Sequence, residues 1–112
     1  MPKAIVLVFT DCADPAREAE FNEWYNNTHV PDILQAEGFV ASTRYQVLGN
    51  PGPGQGKFLA VYEVEADELG KAFAGVQKRL AEVTAQGRII DCLRMAGFTP
   101  CLQIGPRQAQ AG

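Results

Sequence analysis

A single histidine, His29, sits in the stretch FNEWYNNTHVPDIL at residues 21–34, which also holds the only tryptophan, Trp24. Imidazole is the side chain whose unperturbed pKa permits proton transfer near neutral pH, so its placement bounds the acid or base chemistry open to this chain. Tyr25 precedes it by one helical turn and Asp32 follows it closely, so either is in reach to orient the ring. The chemistry this trio offers is general acid or base catalysis. The structural alternative is that His29 caps a broken helix by hydrogen-bonding a freed carbonyl.

Arg44 is the second candidate. Alternation along GFVASTRYQVLG, residues 38–49, separates Phe39, Ala41, Thr43, Tyr45 and Val47 from Val40, Ser42, Arg44, Gln46 and Leu48. The first set is the more apolar and is expected to face the helices, which puts Arg44 on the other side of the sheet. A guanidinium enclosed there needs a carboxylate or an anionic or carbonyl-bearing ligand. Glu63 on the adjacent strand, or exposure at a sheet edge, is the bland alternative.

Other chemistry is thinly represented. Cys12, Cys92 and Cys101 are odd in number and form no CxxC pair, so they read as small buried hydrophobes and not as a disulfide framework. One histidine and no inward carboxylate cluster argue against a metal site. The run NPGPGQG has no following Lys with Ser or Thr and joins two strands, so it is a turn and not a phosphate loop.

The elements that must position these residues follow from periodicity. AIVLVF at 4–9 is continuously apolar and reads as a strand buried on both faces. A helix starts near Ala16, with Asp14 as cap, Pro15 at its first position, and Phe21, Trp24, Tyr25 and Thr28 on its inner face. Pro31 lacks an amide hydrogen and pushes Val30 from helical dihedrals, so this helix is expected to kink or end at His29. Residues 38–49 and KFLAVYEVE form a long hairpin. A second helix runs from a cap at Asp67 through Leu69, Phe73, Val76, Leu80 and Val83 to a stop at Gly87. RIIDCLRMAGF is ambiguous, TPCLQIG at 99–105 reads as a last strand, and the polar tail frays.

The order strand, helix, strand, strand, helix, strand is the split βαβ arrangement of an α+β, ferredoxin-like βαββαβ sandwich with an antiparallel sheet and both helices on one face. The 112 residues are expected to form one domain, 1–112. Ile5, Leu7 and Phe9 alternate with Val6 and Val8, leaving apolar residues on the uncovered face, so a homodimer through that face is expected. Apolar residues at 46% and a net charge of -3 without basic clustering indicate a folded protein with no nucleic-acid or membrane partner. No apolar run approaches the roughly 20 residues that span a bilayer. The first one begins almost at Met1 without a charged leader, which makes the cytoplasm the expected compartment.

The segments EFNEWYNNTHVPDIL, GFVASTRYQVLG and KFLAVYEVE together resemble the dimeric α/β-barrel superfamily, and within it the EthD-related group. The most specific element is FxxWYxxxHxPD, met by Phe21, Trp24, Tyr25, His29, Pro31 and Asp32. The resemblance implies a protomer whose sheet packs on its twin to form a dimeric α/β barrel, with a cavity between each sheet and its helices. Relatives include cofactor-free polyketide cyclases, lactone isomerases, dehydratases and small monooxygenases. What this implies here is an enzyme needing no cofactor, acting by proton transfer on a small hydrophobic carbonyl or phenolic substrate as a lyase, isomerase or cyclase. His29 is then the acid or base, Tyr25 and Asp32 orient it, Arg44 stabilises an enolate or phenolate, and Trp24, Phe9 and Tyr62 line apolar walls. The alternatives are a non-catalytic small-molecule carrier or accessory protein, or a cofactor-free monooxygenase.

Overall fold

The computed structural model describes residues 1–111. Four strands, β1 (Lys3–Cys12), β2 (Phe39–Gln46), β3 (Phe58–Glu65) and β4 (Leu93–Leu102), form one antiparallel sheet in the order β2-β3-β1-β4. With the helices between β1 and β2 and between β3 and β4, this is the expected ferredoxin-like α+β arrangement. Even-numbered residues of β1 and β3 point to the helices: Val6, Val8, Ala60, Tyr62 and Val64 are buried there with Phe21, Tyr25 and Val76. The opposite face carries Ile5, Leu7, Phe9, Leu59 and Val61 and has no helix over it. β4 begins at Leu93, earlier than the expected start at residue 99, because Met95 and Phe98 pair with Thr10 and Val8 across a bulge.

The first helical segment does not break at His29. It runs from a 3-10 turn, Pro15–Arg17, capped by Asp14 Oδ1 accepting from Ala16 N at 3.0 Å, into α1 (Glu18–Trp24), then a π-turn (Tyr25–His29), then α2 (Val30–Ile33). Val30 keeps helical dihedrals, φ -58 and ψ -50, and its N–H reaches back to the Tyr25 carbonyl. The chain thus answers the missing Pro31 N–H by widening one turn instead of ending the helix, as π-turns do. Widening turns His29 inward: it is 7% exposed.

α3 (Leu69–Ala85) is the second long helix, with Ala72, Val76 and Val83 buried. Its N-cap is Glu68, without a side-chain cap bond, and not Asp67 as expected; Gly87 ends it at φ 72. Among the described residues no helix is long and apolar enough to cross a membrane.

Candidate functional site

The π-turn stacks His29 on Trp24, ring centroids 4.9 Å apart at 20°, and sets it edge-on to Tyr25 at 4.9 Å and 83°. Trp24 is itself fixed by Nε1 donating to the Arg88 carbonyl at 2.9 Å. His29, Tyr25 and Tyr62 border one cavity of about 60 Å³ between sheet and helices, whose other walls are apolar apart from Gln77, among them Val8, Ile33, Leu80 and Phe98. Met95 and Phe98, 52% and 44% exposed, form its outer edge along β4, where no helix covers the strand.

Burial dominates the electrostatics. The His29 imidazole is pushed down to about 4 by burial; the Asp32 charge opposes this and the Arg44 charge adds to it. The ring is therefore neutral at physiological pH, and its Nδ1 is buried with no hydrogen-bond partner. The phenols of Tyr25 and Tyr62 are raised, again by burial first, and act on one another; Tyr62 Oη is buried and makes no well-formed hydrogen bond. Unsatisfied polar atoms in an apolar cavity are costly, so a ligand able to meet them recovers that cost.

Asp32, expected to orient His29, is committed elsewhere. Arg88 holds its carboxylate with Nε at 2.7 Å and Nη2 at 3.1 Å, Arg79 Nη2 lies 3.7 Å from it, and Arg79 Nε also bonds the Asp32 carbonyl at 2.9 Å. Its charge reaches His29 only through space. Neither arginine was singled out from sequence, and no local pattern marks them, because both contacts join residues distant in the chain.

Arg44 corrects the strand reading. The register of β2 shifts between Phe39 and Ala41, so Ser42, Arg44 and Gln46 pair with Tyr62, Ala60 and Phe58 and share their helix-facing side. Alternation assumed an unbulged strand and placed Arg44 on the wrong face; an ion pair with Glu63, which points the other way, does not form. The guanidinium lies 4.1 Å above the Tyr25 ring and donates from Nη1 to Asn26 Oδ1 at 3.0 Å. It stands behind Tyr25 and does not line the cavity. Phe9 is likewise displaced from its expected role: it is on the uncovered sheet face, beside Gly97, away from the cavity. Trp24 backs the histidine and is not among the cavity walls, whereas Tyr62 is.

The three cysteines are free thiols, and none borders the cavity. Among the described residues no three His, Cys, Asp or Glu side chains gather in a way that could hold a metal ion.

The same ferredoxin-like fold recurs among solved structures. The chain is similar to HapK from Hahella chejuensis, with 14% identity over 96% of this chain and 99% of that one and a TM-score of 0.65. It is similar also to an EthD family protein from Bacillus halodurans, with 18% identity over 96% and 100% and a TM-score of 0.51. A monooxygenase from the gene ActVA-Orf6 of Streptomyces coelicolor, in complex with nanaomycin D, matches with 19% identity over 99% and 91% and a TM-score of 0.51. Identities this low carry the fold and nothing finer. No curated protein matches the chain. Residues 4–89 match the family described as a domain of unknown function, DUF4286, and the chain belongs to that family.

Proposed function

We propose that this protein is an enzyme of small-molecule metabolism in which neutral His29 removes a proton from a small, largely apolar substrate bound beneath the helices. The observation that carries the reading is a buried imidazole, with an unpartnered nitrogen, beside two phenols in a cavity whose other walls are apolar apart from Gln77. A base with a conjugate acid near 4 is weak. Its substrate must therefore form a stabilised anion: a 1,3-dicarbonyl, or a phenol, whose ordinary pKa is about 10. Tyr25 and Tyr62, held protonated by burial, are placed to donate to the developing oxyanion. A cavity of about 60 Å³ takes only the reacting end of such a molecule, the remainder leaving past Met95 and Phe98.

Proton removal is the first step of an isomerisation, a cyclisation or an elimination. It is equally the first step of cofactor-free oxygenation, where the carbanion or phenolate then meets dioxygen, and the monooxygenase among the similar structures favours keeping that second reading. Both share one test. Solvent deuterium exchange into a panel of small 1,3-diketones and phenolic ketones, followed by proton NMR with an oxygen electrode in parallel, reads the first step whatever follows. Wild type is expected to catalyse exchange and His29→Ala to lose it, with binding kept within about tenfold. Exchange that survives His29→Ala removes the catalytic assignment and leaves a binding protein; oxygen uptake selects the monooxygenase.

A further inference from the structure

The two other partly buried arginines each have carboxylate partners among the described residues: Arg17 binds Glu20 and Asp91, and Arg79 meets Asp32 and Glu82. Arg44 is half-buried and has none. Its Nε is buried without an acceptor, and the contact to Asn26 is the one hydrogen bond it makes within the described protein. Three aromatic rings surround the guanidinium, Tyr25 at 4.1 Å, Phe58 at 5.8 Å and Phe21 at 6.0 Å, which holds the planar group flat while leaving its charge uncompensated.

What lies in front of Arg44 completes the picture. A groove of about 220 Å³, separate from the His29 cavity and on the other side of Tyr25, is lined by Asn22, Asn26, Arg44, Tyr45, Gln46 and Phe58. Among the described residues no acidic side chain lines it. The neighbouring Lys57 ammonium is tied to Glu18 at 2.8 Å, which leaves Arg44 as the one free positive charge of the groove among the described residues. Asn26 gives its Oδ1 to Arg44, so its amide N–H donors remain for a ligand. Phe58, on the same helix-facing side as Arg44, offers an aromatic wall.

We propose that this groove is a second ligand site, in which Arg44 and the side-chain amides of Asn22, Asn26 and Gln46 bind the carboxylate of a small aryl acid. One planar cation matched by neutral donors suits a planar monoanion better than a dianion such as phosphate. The site does not depend on His29 acting as a base.

The test is an NMR titration of the isotopically labelled full-length protein with sodium benzoate, with benzamide as the uncharged isostere and inorganic phosphate as the dianion. Benzoate is expected to bind saturably in the millimolar range, moving the side-chain amides of Asn22, Asn26 and Gln46, while benzamide does not. Arg44→Gln should weaken binding at least tenfold and His29→Ala should leave it unchanged. Asn26→Asp covers the case in which loss of Arg44 unfolds the chain: a carboxylate placed against the guanidinium should raise the melting temperature and abolish benzoate binding together. The proposal fails if benzoate does not saturate, if benzamide binds equally well, if phosphate binds more tightly, or if Asn26→Asp binds benzoate as wild type does.

Discussion

His29 owes its behaviour to where the backbone leaves it. Buried and neutral, it has a pKa near 4 where an unfolded chain has about 6.5. The unfolded state therefore binds more protons between those values. His29's contribution to stability is complete above about pH 6.5 and is lost as pH falls through 4, amounting to about 3 kcal/mol. Denaturant midpoints of wild type are expected to fall across that window relative to those of His29→Gln, in which the difference vanishes; parallel curves would show that the ring is not buried. The single tryptophan provides a second measurement, since imidazolium quenches a stacked indole. Trp24 fluorescence should titrate with a midpoint near 4. Asp32→Asn, which removes the one charge favouring imidazolium, should lower the midpoint, and Arg88→Gln, which frees that charge from its partner, should raise it. A midpoint unmoved by both variants would mean that Asp32 does not act on the ring. The core-boundary position of His29 was readable from the spacing of Phe21, Trp24 and Tyr25. The engagement of Asp32 was not, because Arg79 and Arg88 come from 47 and 56 positions away along the chain.

At the level of elements, the departures from simple periodicity have local causes. Pro31 announced an irregularity correctly, but a proline rule cannot choose between ending a helix and widening a turn; packing of Tyr25 and His29 against the sheet made the choice. A bulge near Val40 leaves no mark in composition, yet one extra residue reverses the facing of everything after it, which is why Arg44 was assigned to the opposite face. The β2–β3 connection is legible as a turn from its Gly and Pro content, but where it lands is not. It reaches across to β4, so that a Cβ on Gly97 would strike the Gly54 carbonyl oxygen. Gly97→Ala is expected to destabilise the fold by about 1–3 kcal/mol, through displacement of that loop. Gly75 lies inside α3 with nothing within 4 Å of its would-be Cβ. Gly75→Ala should accordingly stabilise by up to about 1 kcal/mol, from helix propensity alone. Thermal denaturation of the two variants reads opposite signs, and a shift in the same direction for both would sink this account of the loop contact.

For the molecule as a whole, the two faces of the sheet have different tasks. The helix side holds His29 and the cavity, so the candidate site lies within a single chain. The other side presents Ile5, Leu7, Leu59 and Val61 with no helix across them, and Ile5 is 37% exposed. A contiguous apolar sheet face of this kind is normally covered by a second layer, and a second copy of the chain meeting it face to face supplies one. This expectation came from the alternation of β1 and β3, both of which are unbulged where they pair with each other, so the sequence pattern transferred to the fold intact. Sedimentation velocity at micromolar concentration is expected to give twice the chain mass of 12.2 kDa. Leu7→Glu puts a charge at the centre of the face, opposite Val61 and Thr99, and should return the mass to that of one chain with its circular dichroism unchanged. Because Leu7 points away from the helices, the Trp24 titration of that monomer should keep its midpoint near 4. A wild-type monomer would refute the pairing and leave the cavity chemistry standing; a dimer whose dissociation shifts the His29 midpoint would show that the partner sheet helps to shape the site from behind.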